Sequence, residues 1–354
     1  ANGGAGLGYG GGGGGGRIGA TSGSNVFTGL ITAYGGPGGG GVWGGAGTIF
    51  IGTSSQQIRT PGQVVVDNAG HAGVSGLLPS STVYDLTVGP TVAVSLSGVS
   101  SIANLVIATN GSLVFGTPGT QVPNLTVSNA TIQAGGMIRA DTNGYSAGSG
   151  PGAGLYTGGA GHGGYGVRAG GVNPTGSGTY DSLTQPSIAG SGGAPFLGAG
   201  ATSGGAGGGI VRLTVTRKLQ LDGEISADGG AGLFGTQTSQ GPGAGGGSGG
   251  SIWLTRGELA GSGRITANGG PCWNTGGGGG GGRIAVYCSS NRFAGSLQAF
   301  GGSSGISNSA GFGGAGTVYL TTNGPNQLGV PQLIVDNGGH AGTNTPLSEA
   351  SQLD

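Results

Sequence analysis

The sequence predicts an all-β protein: a parallel β-solenoid, or β-helix, whose coils are joined by glycine-rich, polyglycine-II-like loops or layers. Three observations predict it. Short runs alternate apolar and polar residues, glycine fills the intervals between them, and the whole pattern returns after about 266 residues.

The alternating runs come first, because period two marks half-buried strands. Asp85-Leu86-Thr87-Val88, Asn104-Leu105-Val106-Ile107 and Asn124-Leu125-Thr126-Val127 recur at intervals of 19 and 20 residues, counted between Leu86, Leu105 and Leu125. This spacing fits one coil of a β-helix and aligns the three leucines. Val92 to Leu96 and Ser112 to Phe115 supply further runs between them. In the second half, one series of strands begins at Ile210, Ser251, Arg283 and Thr317. A second series begins at Glu224, Arg264 and Ser296. The length that varies between coils sits in glycine loops, where insertions are tolerated.

The long repeat follows from direct comparison. Ala1-Asn2-Gly3-Gly4, Gly10 to Gly16 and Arg17-Ile18 return as Ala267-Asn268-Gly269-Gly270, Gly276 to Gly282 and Arg283-Ile284, an offset of 267 − 1 = 266. Asp67-Asn68-Ala69-Gly70-His71 returns as Asp336-Asn337-Gly338-Gly339-His340, an offset of 336 − 67 = 269. The chain then divides into residues 1–85 (a partial unit), 86–141 (regular coils), 142–209 (a glycine-rich insertion) and 210–354, within which 267–354 repeats 1–85. Neither end resembles a cap, and there is no initiator Met or signal peptide, so the expectation is a processed or truncated piece of a continuing array.

Composition narrows the function. Glycine supplies 97 of 354 residues, about four times the usual share, and charged residues only 6%. The net charge is zero, and no basic stripe is present to meet nucleic acid. No apolar run reaches the ~18 residues of a membrane-spanning helix. A surface with so little charge offers little resistance to self-association. That suits a fibre subunit.

The glycine runs allow two accounts. Gly/Ser tracts behave as floppy chains. Alternatively, side-chain-free strands in the polyproline-II geometry, three residues per turn, can pack closely and pair their outward-pointing backbone groups. Collagen is excluded, since there is no strict Gly-X-Y and proline numbers only 15.

The segments Gly245 to Leu254, Gly281 to Tyr287 and Ile265 to Gly270 resemble very large glycine-rich repeat proteins of bacteria and of some algae and protists, read as surface or secreted β-helix proteins. The glycine runs also look like the polyglycine-II sandwiches of certain phage tail-tip adhesins. The resemblance spans residues 1–79 and 205–342, and implies an extracellular or cell-surface location with a scaffold or adhesive role.

Candidate sites are few. Asp222, Glu224 and Asp228 are the densest carboxylates, as some polysaccharide-cleaving β-helix enzymes require. Leu219 and Leu221 alternate with Gln220 and Asp222, which predicts that these acids face solvent at a turn. No catalytic residue, cofactor or metal is assigned. Asp67, Asn68 and His71, with their copies Asp336, Asn337 and His340, predict a turn in which Asp and Asn bond their own backbone; a metal site is the rival reading. Cys272 and Cys288 occupy the positions of Gly6 and Ser22 in the first copy. Their joint presence in one copy and joint absence from the other point to a disulfide, with two buried thiols as the alternative. Asn110, Asn124 and Asn129 begin glycosylation sequons. Trp43, Trp253 and Trp273 are expected to cover glycine layers rather than bind sugar. Together these readings favour a structural subunit of an extracellular filament, sheath or appendage whose partner is itself. A surface adhesin or carbohydrate-binding β-helix, with surface glycans as partners, is the alternative.

Overall fold

The computed structural model describes residues 1–23, 27–53, 61–75, 78, 83–96, 100–116, 124–167, 178–197, 201–233, 243–273, 275–305, 311–324 and 327–347. These residues form nineteen strands and no α-helix: β1 (Arg17–Ser22), β2 (Thr48–Thr53), β3 (Gly62–Val66), β4 (Gly73–Ser75), β5 (Tyr84–Val88), β6 (Val92–Leu96), β7 (Ser100–Ile107), β8 (Ser112–Phe115), β9 (Asn124–Ile132), β10 (Met137–Arg139), β11 (Ile210–Leu221), β12 (Glu224–Ser226), β13 (Ser251–Gly261), β14 (Arg264–Thr266), β15 (Arg283–Phe293), β16 (Ser296–Gln298), β17 (Thr317–Gly324), β18 (Gln327–Leu328) and β19 (Gln332–Ile334).

They make two sheets. The first runs β1-β2-β3-β5-β7-β9-β11-β13-β15-β17-β18, with β19 also on β17; the second runs β16-β14-β12-β10-β8-β6-β4. From β3 to β17 the chain alternates between the sheets and each strand pairs parallel with the next strand of its own sheet. Alternation explains the burial. In β5 and β6 the residues Tyr84, Leu86, Val88, Val92, Val94 and Leu96 point inward and are at most 2% exposed, while their neighbours are half-buried. The inward residues of both sheets merge into one apolar core reaching from Ala46 to Val318.

Two features depart from the sequence reading. First, the large sheet is mixed. The pairs β2–β3, β17–β18 and β17–β19 are antiparallel. Only eight residues separate Thr53 from Gly62 (62 − 53 − 1 = 8), and a parallel return needs a crossover of a dozen or more. Second, Leu105 does not stand opposite Leu125. It pairs with Ala130, and Leu125 with Ser100. Leu125, Val127, Ala130 and Ile132 are all buried, so burial alone does not choose the register. A polar column does: Asn104 Nδ2 donates to Asp85 Oδ1 at 2.8 Å, and Asn129 Nδ2 donates to Asn104 Oδ1 at 2.9 Å.

The strand series of the second half align as the spacing predicts. Ile210, Ser251, Arg283 and Thr317 stand in one row, and Glu224, Arg264 and Ser296 in another. The two ends of the chain also repeat each other in register. Ile49, Phe50 and Ile51 oppose Val65, Val64 and Gln63; at an offset of 269, Val318, Tyr319 and Leu320 oppose Ile334, Leu333 and Gln332.

Candidate functional site: a glycine layer and its asparagine clamps

The glycine runs lie beside the strands and are bonded with a period of three. In the run from 243 to 250, the amides of Ala244, Gly247 and Gly250 donate to the carbonyls of Leu233, Gly230 and Ala227. Gly245 and Ser248 donate to Ala194 and Ser191, and Gly246 and Gly249 to Gly277 and Gly280. Each third of the amides thus serves a different neighbouring segment. This is the spacing of a chain with three residues per turn and no internal hydrogen bonds. The run from 276 to 282 does the same: Gly276, Gly279 and Gly282 donate to Trp273, Gly270 and Ala267, while Gly277 and Gly280 donate to Thr157 and Ala160. Glycine is required by distance. A Cβ on Gly247 would lie 2.0 Å from the carbonyl oxygen of Ala206, and one on Gly279 would lie 2.1 Å from that of Gly247.

The repeated Asp-Asn-x-Gly-His segment sits where this layer meets the sheets. Asp67 Oδ1 accepts from the Ala69 amide and Asp336 Oδ1 from the Gly338 amide, and positive φ values follow at Ala69, Gly70, Gly338 and Gly339. Asn68 is wholly buried. Its Oδ1 accepts from the Gly35 amide at 2.7 Å, and its Nδ2 donates to Gly44 O at 3.1 Å and His71 O at 3.0 Å. Asn337 repeats this with Gly301 N at 2.7 Å, Gly313 O at 3.1 Å and His340 O at 3.2 Å. The histidine rings stack on aromatic rings, His71 on Trp43 at 3.4 Å and His340 on Phe312 at 4.0 Å. One side chain therefore ties a turn to two glycine segments in each copy.

A second column of acids and amides links the segments that follow successive strands of the smaller sheet. Asp141 Oδ1 accepts from Asp228 N, Asp228 Oδ1 from Asn268 N, and Asn268 Oδ1 from Phe300 N. Asp222 and Glu224, expected to face solvent, are half-buried and hydrogen-bonded. Asp222 accepts from Gln220 Nε2 and from Ser262 N, and Glu224 from Arg264 at 2.8 Å. Asp228 is half-buried, and burial, reinforced by the charges of Asp141 and Glu224, pushes its carboxyl up to about 6. The folded chain thus holds a proton on Asp228 between about pH 4 and pH 6 that the unfolded chain releases, so stability falls as pH rises through that window. Two pH units correspond to about 3 kcal/mol. Asp228→Asn keeps the acceptor for Asn268 N, as Asn268 itself does for Phe300. It is expected to raise the unfolding temperature at pH 8 and to flatten its pH dependence between pH 4 and pH 6. Thermal unfolding across pH checks this.

Sequence reasoning missed a buried polar cluster. His162 and the Asp181 side chain are 0% and 2% exposed, with Nε2 to Oδ2 at 3.4 Å. Asp181 also accepts from Ser251 Oγ and from the amides of Ser182, Ser187 and Ile188. Burial alone would raise its carboxyl; the hydrogen bonds from His162, Ile188 and Ser251 outweigh that and hold it below the ordinary value. Arg283, 1% exposed, donates to Tyr180 O and Thr317 Oγ1. These contacts fasten the irregular segment 178–191 over the glycine layer. Alternation gives no signal for this cluster: Arg283 stands next to the inward Ile284, at a position assigned to the outer face of the strand, and it is buried there only because segment 178–191 covers that face.

The cysteines are not bridged. Both are free and buried. Cys272 lies in the loop before the glycine run, its Sγ accepting from Gly305 N, and burial pushes its thiol up to about 11. Cys288 lies in β15 with Sγ near Thr321 O. The extended run from Gly276 to Gly282 separates them by roughly 20 Å at about 3.1 Å per residue, and a bridge needs Cα atoms within about 7 Å. Of the sequon residues, Asn110 is exposed in a positive-φ turn, Asn124 is half-buried, and Asn129 donates its amide to Asn104. Trp253 stacks under the Arg212 guanidinium at 4.1 Å in β13, on the large sheet rather than over the glycines, and Trp273 is 59% exposed. Among the described residues no three His, Cys, Asp or Glu side chains gather as a metal site, and no helix is long and apolar enough to cross a membrane.

A scan against protein-family models, a search of curated proteins and a search of solved structures each find no match.

Proposed function

We propose that this chain is a parallel β-solenoid flanked by a polyglycine-II layer, and that it serves as a structural unit of an extracellular filament, sheath or surface appendage built from stacked copies of itself. The observation that carries this is the recurrence of one bonding pattern at the sequence offset. Gly13, Gly16, Gly36 and Gly47 donate to Gly4, Ala1, Gly13 and Ala33; Gly279, Gly282, Gly302 and Gly316 donate to Gly270, Ala267, Gly279 and Ala299. A unit whose layer, clamp and strand register all repeat can be extended without new chemistry. The polar side chains are spent on bonding coil to coil, which supports a scaffold rather than a catalyst.

Electron microscopy of the purified chain at high concentration tests the reading. Rods or filaments with a regular axial repeat are expected, and dispersed single particles at all concentrations would overturn it. A surface adhesin is the second reading. It is favoured by the exposed apolar tips Leu7, Tyr9 and Trp273, of which Leu7 and Trp273 are equivalent at the offset of 266. A glycan array on which Trp273→Ala loses binding would support that reading.

A further inference from the structure

We infer that the glycine face of the first copy, residues 10–17 together with the free edge of β1, is a docking surface for a second copy of residues 142–266 placed ahead of Ala1 in one polypeptide. The inference rests on the repeating-unit reading above and names the surface and the segment that meet.

The second copy shows what covers this face. Gly277 and Gly280 donate to Thr157 and Ala160, Gly278 O and Gly281 O accept from Val167 and Gly163, and Arg283 donates to Tyr180 O. All the glycines from 276 to 282 are buried. Strand β15 lies between β13 and β17. At the same positions less 266, the first copy is bare. Gly11 and Gly14 are exposed, and their amides have no partner among the described residues. Arg17 is exposed where Arg283 is enclosed. A Cβ on Gly277 would meet Val167 O at 1.7 Å, whereas one on Gly11 meets nothing within 4 Å. A Cβ on Gly280 would meet Gly164 O at 2.0 Å, whereas one on Gly14 meets only Gly45 O, at 3.9 Å. Among the described residues strand β1 pairs with β2 alone, and its other edge has no strand partner there.

The rest of the first copy already has the shape its partner needs. The bonds Gly3–Tyr34, Gly6–Pro37 and Gly15–Gly45 match Gly269–Phe300, Cys272–Ser303 and Gly281–Gly314. The covering segments 155–167 and 178–191 and the flanking strand β13 all fall within residues 142–266, and Thr266–Ala267 is the junction that joins them to the covered copy. Placing Thr266 ahead of Ala1 recreates that junction, because Ala1 is the equivalent of Ala267.

The test is a tandem chain carrying residues 142–266 ahead of the full 354-residue sequence, compared with the unextended chain by amide hydrogen exchange. Exchange across residues 10–17 is expected to slow by about 100-fold or more, approaching that of 276–283. Gly14→Ala in the tandem chain is expected to restore fast exchange there, whereas the same substitution in the unextended chain is expected not to lower its unfolding temperature. Unaltered exchange at 10–17 in the tandem chain overturns the proposal, and so does protection of 10–17 in the unextended chain through its own self-association. In the tandem chain, filaments that form with this face unprotected remove the docking inference alone; a protected face without filaments removes the filament reading alone.

Discussion

Gly280→Ala is expected to destabilise the chain by about 4 kcal/mol or more, while Gly14→Ala, the same repeat position in the first copy, is expected to be neutral or to stabilise by up to about 1 kcal/mol. At Gly280 the added methyl would meet Gly164 O at 2.0 Å, its carbonyl carbon at 2.6 Å and Tyr165 C at 3.0 Å. These are backbone atoms, and no rotamer change moves them aside. Relief requires separating segments 160–165 and 276–282, which would break the Gly280–Ala160 and Gly163–Gly281 bonds. At Gly14 the nearest atom is at 3.9 Å and the backbone does not enter the left-handed region. There the dominant effect of alanine is to restrict the unfolded chain. Guanidinium unfolding of the two variants separates the accounts. Equal, small effects would mean that the run from 276 to 282 is a loose linker.

The parts of the fold that were legible in the sequence are those set by local rules. Alternation located β5 to β9 and the rows that start at Ile210 and Glu224, because one inward face shared by stacked strands enforces a period of two. The Asp-Asn turn was legible because Asx side chains bond their own backbone. What escaped depends on contacts distant in sequence. Ser251 reaches Asp181 across 70 residues and Arg283 reaches Tyr180 across 103, from a segment with no periodicity to read. Asn68 was read as a turn residue, yet two of its three bonds go to glycines 24 and 33 residues away. The register of β7 on β9 was misjudged because the repeated Asn-Leu pairs suggested one alignment and the Asp85–Asn104–Asn129 column selects another.

Asn68→Ala is expected to cost about 3–5 kcal/mol, more than any other single polar truncation outside the buried His162–Asp181–Arg283 cluster. The alanine leaves the Gly35 amide and the carbonyls of Gly44 and His71 without their partner, and each buried unsatisfied group costs about 1–3 kcal/mol. Asn337→Ala removes the same three bonds from a half-buried site, where water replaces part of the loss, so about 1–2 kcal/mol is expected. Asn68→Asp distinguishes bonding from space filling, because the shape is unchanged. The new carboxyl still accepts from Gly35, but its second oxygen faces two carbonyl oxygens that only a proton can bridge. Its folded pKa must rise above the unfolded value. The stability of Asn68→Asp should therefore be near normal at pH 4 and fall as pH rises toward 8. If thermal unfolding of this variant were independent of pH over that range, the side chain would be filling a gap rather than clamping the glycine layer to the sheets.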